Sequence, residues 1–125
     1  MFSQPKTILM IEDQPLYSKI IMHALTTHTS YHVIHHPNGM HVLEVIREHQ
    51  PQLLLLDYNL PGLNGIEIYD LVHSTEGIQP IPSIMVSADL PRAEIARRNI
   101  IGLRKPCRIT DLIQTIESTL AQTIS

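Results

Sequence analysis

The chain is predicted to fold as one α/β domain over residues 1–125, a doubly wound five-stranded parallel sheet with helices on both faces. Three observations point there. Five short apolar runs alternate with five stretches of helical character, the pattern of repeated strand-helix-strand units with right-handed crossovers. The run Leu53-Leu54-Leu55-Leu56 has no polar residue on either face, as in a central strand of a covered parallel sheet. Four of the runs close on polar, chemistry-bearing residues, and in open α/β sheets the carboxyl edge of the strands is where ligands bind.

Taken in order, Thr7-Ile8-Leu9-Met10-Ile11 forms a first strand ending in Glu12-Asp13. Gln14-Pro15 opens a helix, because proline suits a first turn, and Leu16, Ile20, Ile21, Ala24 and Leu25 recur at helical spacing to about Thr27. Tyr31 to His36 is a more polar strand suited to an edge, broken by Pro37-Asn38-Gly39. Met40, Leu43, Val45 and Ile46 make a second helix to His49, stopped at Gln50-Pro51. The leucine strand then runs into Asp57, and the turn residues Asn59 to Gly65 lead to a third helix carrying Ile66, Ile68, Tyr69, Leu71 and Val72.

Ile81 to Val86 is a fourth strand, with Pro82 tolerated near its start, and it ends in Ser87-Ala88-Asp89. A short helix begins near Pro91 and carries little apolar surface. Ile100 to Arg104 is a fifth strand closed by Lys105-Pro106. Ile109, Leu112, Ile113, Ile116 and Leu120 form the clearest amphipathic stripe, with Thr110 or Asp111 expected to cap it. No repeat, low-complexity segment or linker interrupts this order.

At 125 residues the chain is long enough for one core without staples, and its single cysteine, Cys107, permits no internal disulfide. A reducing, cytoplasmic setting is expected. Met1-Phe2-Ser3-Gln4-Pro5-Lys6 has no apolar signal core, no run approaches the ~20 residues that span a bilayer, and a soluble protein without a membrane partner is expected. A formal charge of −3 with no basic stretch argues against direct nucleic-acid binding. Eight histidines, three of them in His32-Val33-Ile34-His35-His36, invite a metal reading, but no carboxylate lies near in sequence, and solvated edge-strand side chains are the expectation.

The strand ends carry the chemistry. Glu12 and Asp13, Asp57, Ser87 and Lys105 each close a strand, so in a parallel sheet they meet at one rim. Clustered carboxylates raise one another's pKa unless a cation neutralises them. A hard divalent ion fits oxygen ligands best, and Mg²⁺ would be held by Asp13, Asp57, a main-chain carbonyl at Asn59 and waters. Lys105 adds a point charge, Ser87 a hydroxyl and Ala88 an amide. Metal, ammonium, hydroxyl and amide around one carboxylate describe a site for a phosphoryl group, with Asp57 as the nucleophile. The plainer accounts are that Asp57 caps the turn before Pro61 and Gly62, or that the rim is only an ion-paired strand edge.

These residues resemble a response-regulator receiver domain of two-component signalling, over essentially the whole chain. The resemblance is carried by Ile8-Leu9-Met10-Ile11-Glu12-Asp13, by the Asp57 strand with Leu60-Pro61-Gly62-Leu63-Asn64-Gly65, by Val86-Ser87-Ala88 and by Lys105-Pro106. It implies a single receiver domain of flavodoxin-like fold with strand order 2-1-3-4-5, an order carried over from the family. It further implies Asp57 as the acceptor of phosphate from a phosphohistidine on a sensor kinase or phosphotransfer protein, and Glu12 and Asp13 as Mg²⁺ ligands. Ser87 and Lys105 would contact the phosphoryl oxygens, and Asn59 and Asp89 would stand where phosphate lifetime is tuned. A switched surface along the fourth helix, fifth strand and fifth helix, and a phosphorylation-dependent dimer, belong to the same expectation.

The chain departs from the family pattern twice. Gly102 stands where an aromatic residue usually precedes the lysine by three, and the segment from Ser87 to Lys105 is shorter by about one turn, ~3.6 residues. Phosphoryl chemistry is expected to survive both departures; they motivate the alternative of a receiver-like module that binds a protein without phosphate. A phosphohydrolase is a third reading. Such enzymes usually carry the nucleophile after the first strand with a second acid two residues on, whereas here Asp13 is followed by Gln14 and Pro15.

Overall fold

The computed structural model describes residues 4–122, so the part of the Met1–Lys6 expectation that covers residues 1–3 lies outside the described residues. Its elements are β1 (Thr7–Ile11), α1 (Pro15–His28), β2 (His32–His36), α2 (Val42–His49), β3 (Leu53–Leu56), α3 (Gly65–Ser74), β4 (Ser83–Ser87), α4 (Arg92–Arg97), β5 (Ile101–Arg104) and α5 (Ile109–Gln122). All five strands are parallel in the order β2-β1-β3-β4-β5, as expected.

Strand alternation splits the core into two layers. Leu9, Ile11, Leu54, Leu56 and Met85 pack with α2, α3 and α4, while Ile8, Met10, Leu53, Leu55, Ile84 and Val86 pack with α1 and α5. The register aligns the strand ends: Ile11 pairs with Leu56, Leu56 with Met85, and Ser87 with Arg104. The ladder then runs one residue further. Glu12 N–H donates to His36 O at 3.0 Å, Asp57 N–H to Ile11 O at 3.1 Å, and Lys105 N–H to Ser87 O at 3.0 Å. Three rim residues are thus fixed by sheet hydrogen bonds and not left to loops.

Three local expectations are corrected. In α1 the buried residues are Ser18, Ile21, Ala24 and Leu25, while Leu16 is 72% and Ile20 47% exposed. At ~100° per residue Leu16 and Ile20 lie well round the helix from Ile21, and Ser18 falls on its side of the cylinder, its hydroxyl bonded to Pro15 O at 3.0 Å. Met40 is not in a helix: α2 starts at Val42 after a left-handed His41, and Met40 is exposed. Nor do Thr110 and Asp111 cap α5, which begins at Ile109; they lie in its first turn, where the Asp111 charge still suits the helix dipole. Elsewhere the chain supplies a full capping box at α3, where Asn64 Oδ1 accepts from Glu67 N–H at 2.8 Å and Glu67 Oε1 from Asn64 N–H at 2.9 Å.

The short α4 is fastened at its end. Arg98 donates to both carboxylate oxygens of Asp70 on α3, at 2.7 and 2.9 Å, and to Glu94 Oε2 at 2.8 Å, while Tyr69 Oη donates to Arg98 O at 3.2 Å. The Arg98 guanidinium holds the Asp70 carboxyl below its usual range. Both groups retain solvent contact, so Arg98→Ala is expected to lower the urea midpoint only slightly. A depressed carboxyl stabilises above its ordinary pKa and loses that contribution as pH falls through the folded value, so the difference between variant and wild type should shrink below about pH 4. Beside β5, a Cβ on Gly102 would lie 2.7 Å from Ile95 Cδ1 and 3.3 Å from Leu90 Cδ1, so these two side chains fill the space next to the glycine.

Candidate functional site

The carboxyl rim brings four of the expected residues together. Lys105 Nζ donates to Glu12 Oε1 at 2.8 Å and to Asp57 Oδ2 at 3.0 Å, with Glu12 and Asp57 only 3% and 6% exposed. Asp13 is exposed, and its carboxylate, with those of Glu12 and Asp57, places oxygens within 4.8 Å of one another. Among the described residues this is the one grouping of three or more potential ligands, and the β2 histidines form none.

The charges do not balance. Three carboxyl groups face a single ammonium, a formal excess of two acids over the one base. Burial pushes the Glu12 carboxyl above its ordinary range, and the hydrogen bond from Lys105 offsets this only in part. For Lys105 burial is again the largest single influence and pulls its pKa down, but the hydrogen bonds to Glu12 and Asp57 and the charges of those two carboxylates together outweigh it and the net direction is up. An oxygen cluster with an uncompensated charge of this size, open on the Asp13 side, has the donor chemistry of a hard divalent cation such as Mg²⁺.

The remaining expected residues sit round this centre. Asn59 N–H donates to Asp57 Oδ1 at 3.3 Å, which places the backbone of the following loop against the carboxylate. Ser87 is fully buried; its Oγ accepts from Asp89 N–H at 3.3 Å, and among the described residues no hydrogen bond joins that hydroxyl to Asp57 or to Lys105, whose backbone N–H bonds Ser87 O instead. Ala88 and Asp89 are exposed at the start of the loop beyond it.

Several contributors were not foreseen. Gln14 N–H donates to Glu12 Oε2 at 3.1 Å, and Gln14 Oε1 accepts from Lys105 Nζ at 3.4 Å. The Tyr17 ring lies under the ammonium, its centroid 4.2 Å from Nζ, and Tyr17 Oη approaches Cys107 Sγ at 3.9 Å. His35 contradicts the expectation of a merely solvated side chain, since its Nε2 lies 2.8 Å from Glu12 O, a pure acceptor, so that this nitrogen carries the proton and donates.

A doubly wound parallel sheet with an acidic cluster and one lysine on its carboxyl rim defines a class of α/β domain that presents charged chemistry from strand ends. Within that class, the family described as response regulator receiver domain matches residues 8–117. The polar-differentiation response regulator DivK of Brucella anthropi is 30% identical over 120 residues, covering 93% of this chain and 97% of its own length. Among solved structures, a CheY-like response regulator receiver domain protein from Methanospirillum hungatei superposes with a TM-score of 0.85 at 21% identity, covering 95% of this chain and 96% of its own. The signal receiver domain of a signal transduction histidine kinase from Syntrophus aciditrophicus does so at 0.81 and 21%, covering 94% and 92%. The chain belongs to the response regulator receiver domain family of two-component systems.

Proposed function

We propose that this chain is a single receiver domain in which Asp57 accepts a phosphoryl group from a phosphohistidine on a sensor histidine kinase or phosphotransfer protein, and that the new charge switches a protein-interaction surface. The observation that carries the reading is the Lys105 ammonium held between buried Glu12 and Asp57 beside an oxygen cluster with charge to spare. That arrangement serves no packing purpose and is costly to bury, whereas it suits a group that gains negative charge.

In the transfer, an Asp57 carboxylate oxygen forms an O–P bond while the donor's P–N bond breaks; the bonding pair stays on that imidazole nitrogen, and the donor ring, protonated on its other nitrogen beforehand, leaves as neutral histidine. Asp57 exchanges one negative charge for about two on the acyl phosphate. Lys105 turns from the carboxylate to a phosphoryl oxygen, and Asn59 N–H steadies the oxygen left behind. Glu12, Asp13, Asp57 and the Asn59 carbonyl are the residues we assign to Mg²⁺, which when bound neutralises charge on the phosphoryl oxygens. Ser87 Oγ spends a lone pair on Asp89 N–H and keeps its own proton to donate, and the Ala88 amide adds a second donor. Such a domain is a phosphoacceptor and not an enzyme that turns over a separate substrate. A cytoplasmic location goes with the reading.

The test is intact mass after incubation with phosphoramidate and Mg²⁺. One phosphoryl adduct is expected on wild type, none on Asp57→Ala, and little on wild type with the metal chelated. An unmodified wild type, or an adduct that persists in Asp57→Ala, rejects the assignment.

A further inference from the structure

Lys105 has a partner that no motif announces. Tyr17 lies on the buried side of the first turns of α1, half-covered by the core layer between α1 and α5, and its face meets Lys105 Nζ at 4.2 Å from the ring centroid. Two other features hold the ring in place: Pro15 starts the helix two residues earlier, and Cys107, two residues past the lysine, approaches the phenol oxygen at 3.9 Å. The ammonium's three N–H bonds have acceptors in Glu12, Asp57 and Gln14, at 2.8, 3.0 and 3.4 Å. The ring completes the surround by offering its negative face to the cation.

We propose that Tyr17 is a positioning residue for phosphorylation, its ring face seating the Lys105 ammonium beside Asp57. The inference rests on the assignment of Asp57 as phosphoacceptor. Its physical content lies in the difference between a hydrogen-bond acceptor and a ring. When Asp57 is phosphorylated, Lys105 must release one acceptor and take another; a lone-pair partner constrains that turn by direction, whereas attraction to a ring face varies smoothly with angle and survives it. The seat limits the space that a long, flexible side chain explores, so less rotamer freedom is lost at the moment of reaction. If the ring were only core filler, any apolar side chain of similar volume would replace it.

The chain contains three lysines, Lys6, Lys19 and Lys105, so a protein labelled with carbon-13 lysine gives three resolvable sets of side-chain signals, and their assignment needs only Lys105→Ala. In wild type the terminal methylene protons of Lys105 are expected upfield of those of Lys6 and Lys19, shielded by the ring, and that shielding should persist in Tyr17→Phe and vanish in Tyr17→Leu. With phosphoramidate and saturating Mg²⁺, Tyr17→Leu should take up phosphate about tenfold more slowly and Tyr17→Phe within about twofold of wild type. In a Lys105→Ala background Tyr17→Leu should cause no further slowing, as two residues acting through one interaction require. An unshifted Lys105 in wild type overturns the proposal without recourse to any variant. So does wild-type uptake in Tyr17→Leu, or an undiminished effect of that substitution when Lys105 is absent. Failure of wild type to take up any phosphate would instead remove the assignment of Asp57, while the lysine spectrum would still report whether the seat exists.

Discussion

Lys105→Ala is expected to slow phosphate uptake by Asp57 about a hundredfold at saturating Mg²⁺, the usual loss when one preorganised charge is removed from a developing oxyanion. The same substitution acts on stability, and with a sign that pH exposes. In wild type the raised Lys105 pKa means a contribution fully present below the ordinary lysine value and lost only as pH rises through the higher folded value, so it is intact at neutrality. Glu12 behaves differently although it is an acid. Its folded pKa is raised chiefly by burial, so the stability it contributes is present below the ordinary glutamate value and lost as pH rises through the folded one. Ionising the buried Glu12 therefore carries a cost, which the ammonium 2.8 Å away moderates.

Removing that ammonium leaves Glu12 and Asp57 as two facing carboxylates and raises Glu12 further. Breaking a buried pair costs about 3 kcal/mol, and the open Asp13 side, where water enters, keeps the value at the lower end. Urea unfolding should accordingly show a deficit for Lys105→Ala that is large at pH 7 and smaller at pH 5. Millimolar Mg²⁺ should restore more of the deficit at the higher pH, where the raised Glu12 carboxyl is more fully ionised. A deficit independent of both pH and Mg²⁺ would mean that the lysine stem, and not its charge, supports the rim.

Why is this centre legible in the sequence while its supports are not? Glu12, Asp57, Ser87 and Lys105 each end or follow an apolar run, and parallel pairing alone carries the ends of such runs to one edge; their placement depends on topology, which short alternating segments specify well. Tyr17 and Gln14 reach Lys105 from a helix, and what a helix presents depends on its rotation about its own axis. Leu16 and Ile20 suggested one rotation and the packed α1 adopts another, turning Ser18 and Tyr17 toward the sheet. Apolar spacing was a poor guide because two apolar residues on this helix are left in solvent. The His35 bond to Glu12 O was hidden for a related reason, since edge-strand histidines look alike in sequence whichever side of the strand the ring lies on.

Gly65→Ala is expected to be the most damaging single methyl group in the chain. A Cβ at this position would stand 2.3 Å from Asp57 O and 2.9 Å from Met85 Cε. Met85 is flexible and can yield, but Asp57 O belongs to the backbone at the end of β3, which the ladder bond from Asp57 N–H to Ile11 O holds in place. Relief must come from shifting either α3, whose first residue this is and whose N–H bonds Tyr58 O at 3.0 Å, or the strand end itself. Forced displacement of this kind costs about 3 kcal/mol, read as a lowered urea midpoint. The function loss should exceed the stability loss, because displacing Asp57 by ~1 Å from Lys105 is enough to slow transfer about a hundredfold in molecules that remain folded. Gly62→Ala separates this effect from ordinary glycine strain: Gly62 has φ +75 with nothing within 4 Å of its would-be Cβ, so alanine there meets only backbone strain of about 1 kcal/mol and phosphate uptake should stay near wild type. If the two variants prove equally stable and equally active, the close approach of α3 to the Asp57 carbonyl is not what requires glycine at this turn.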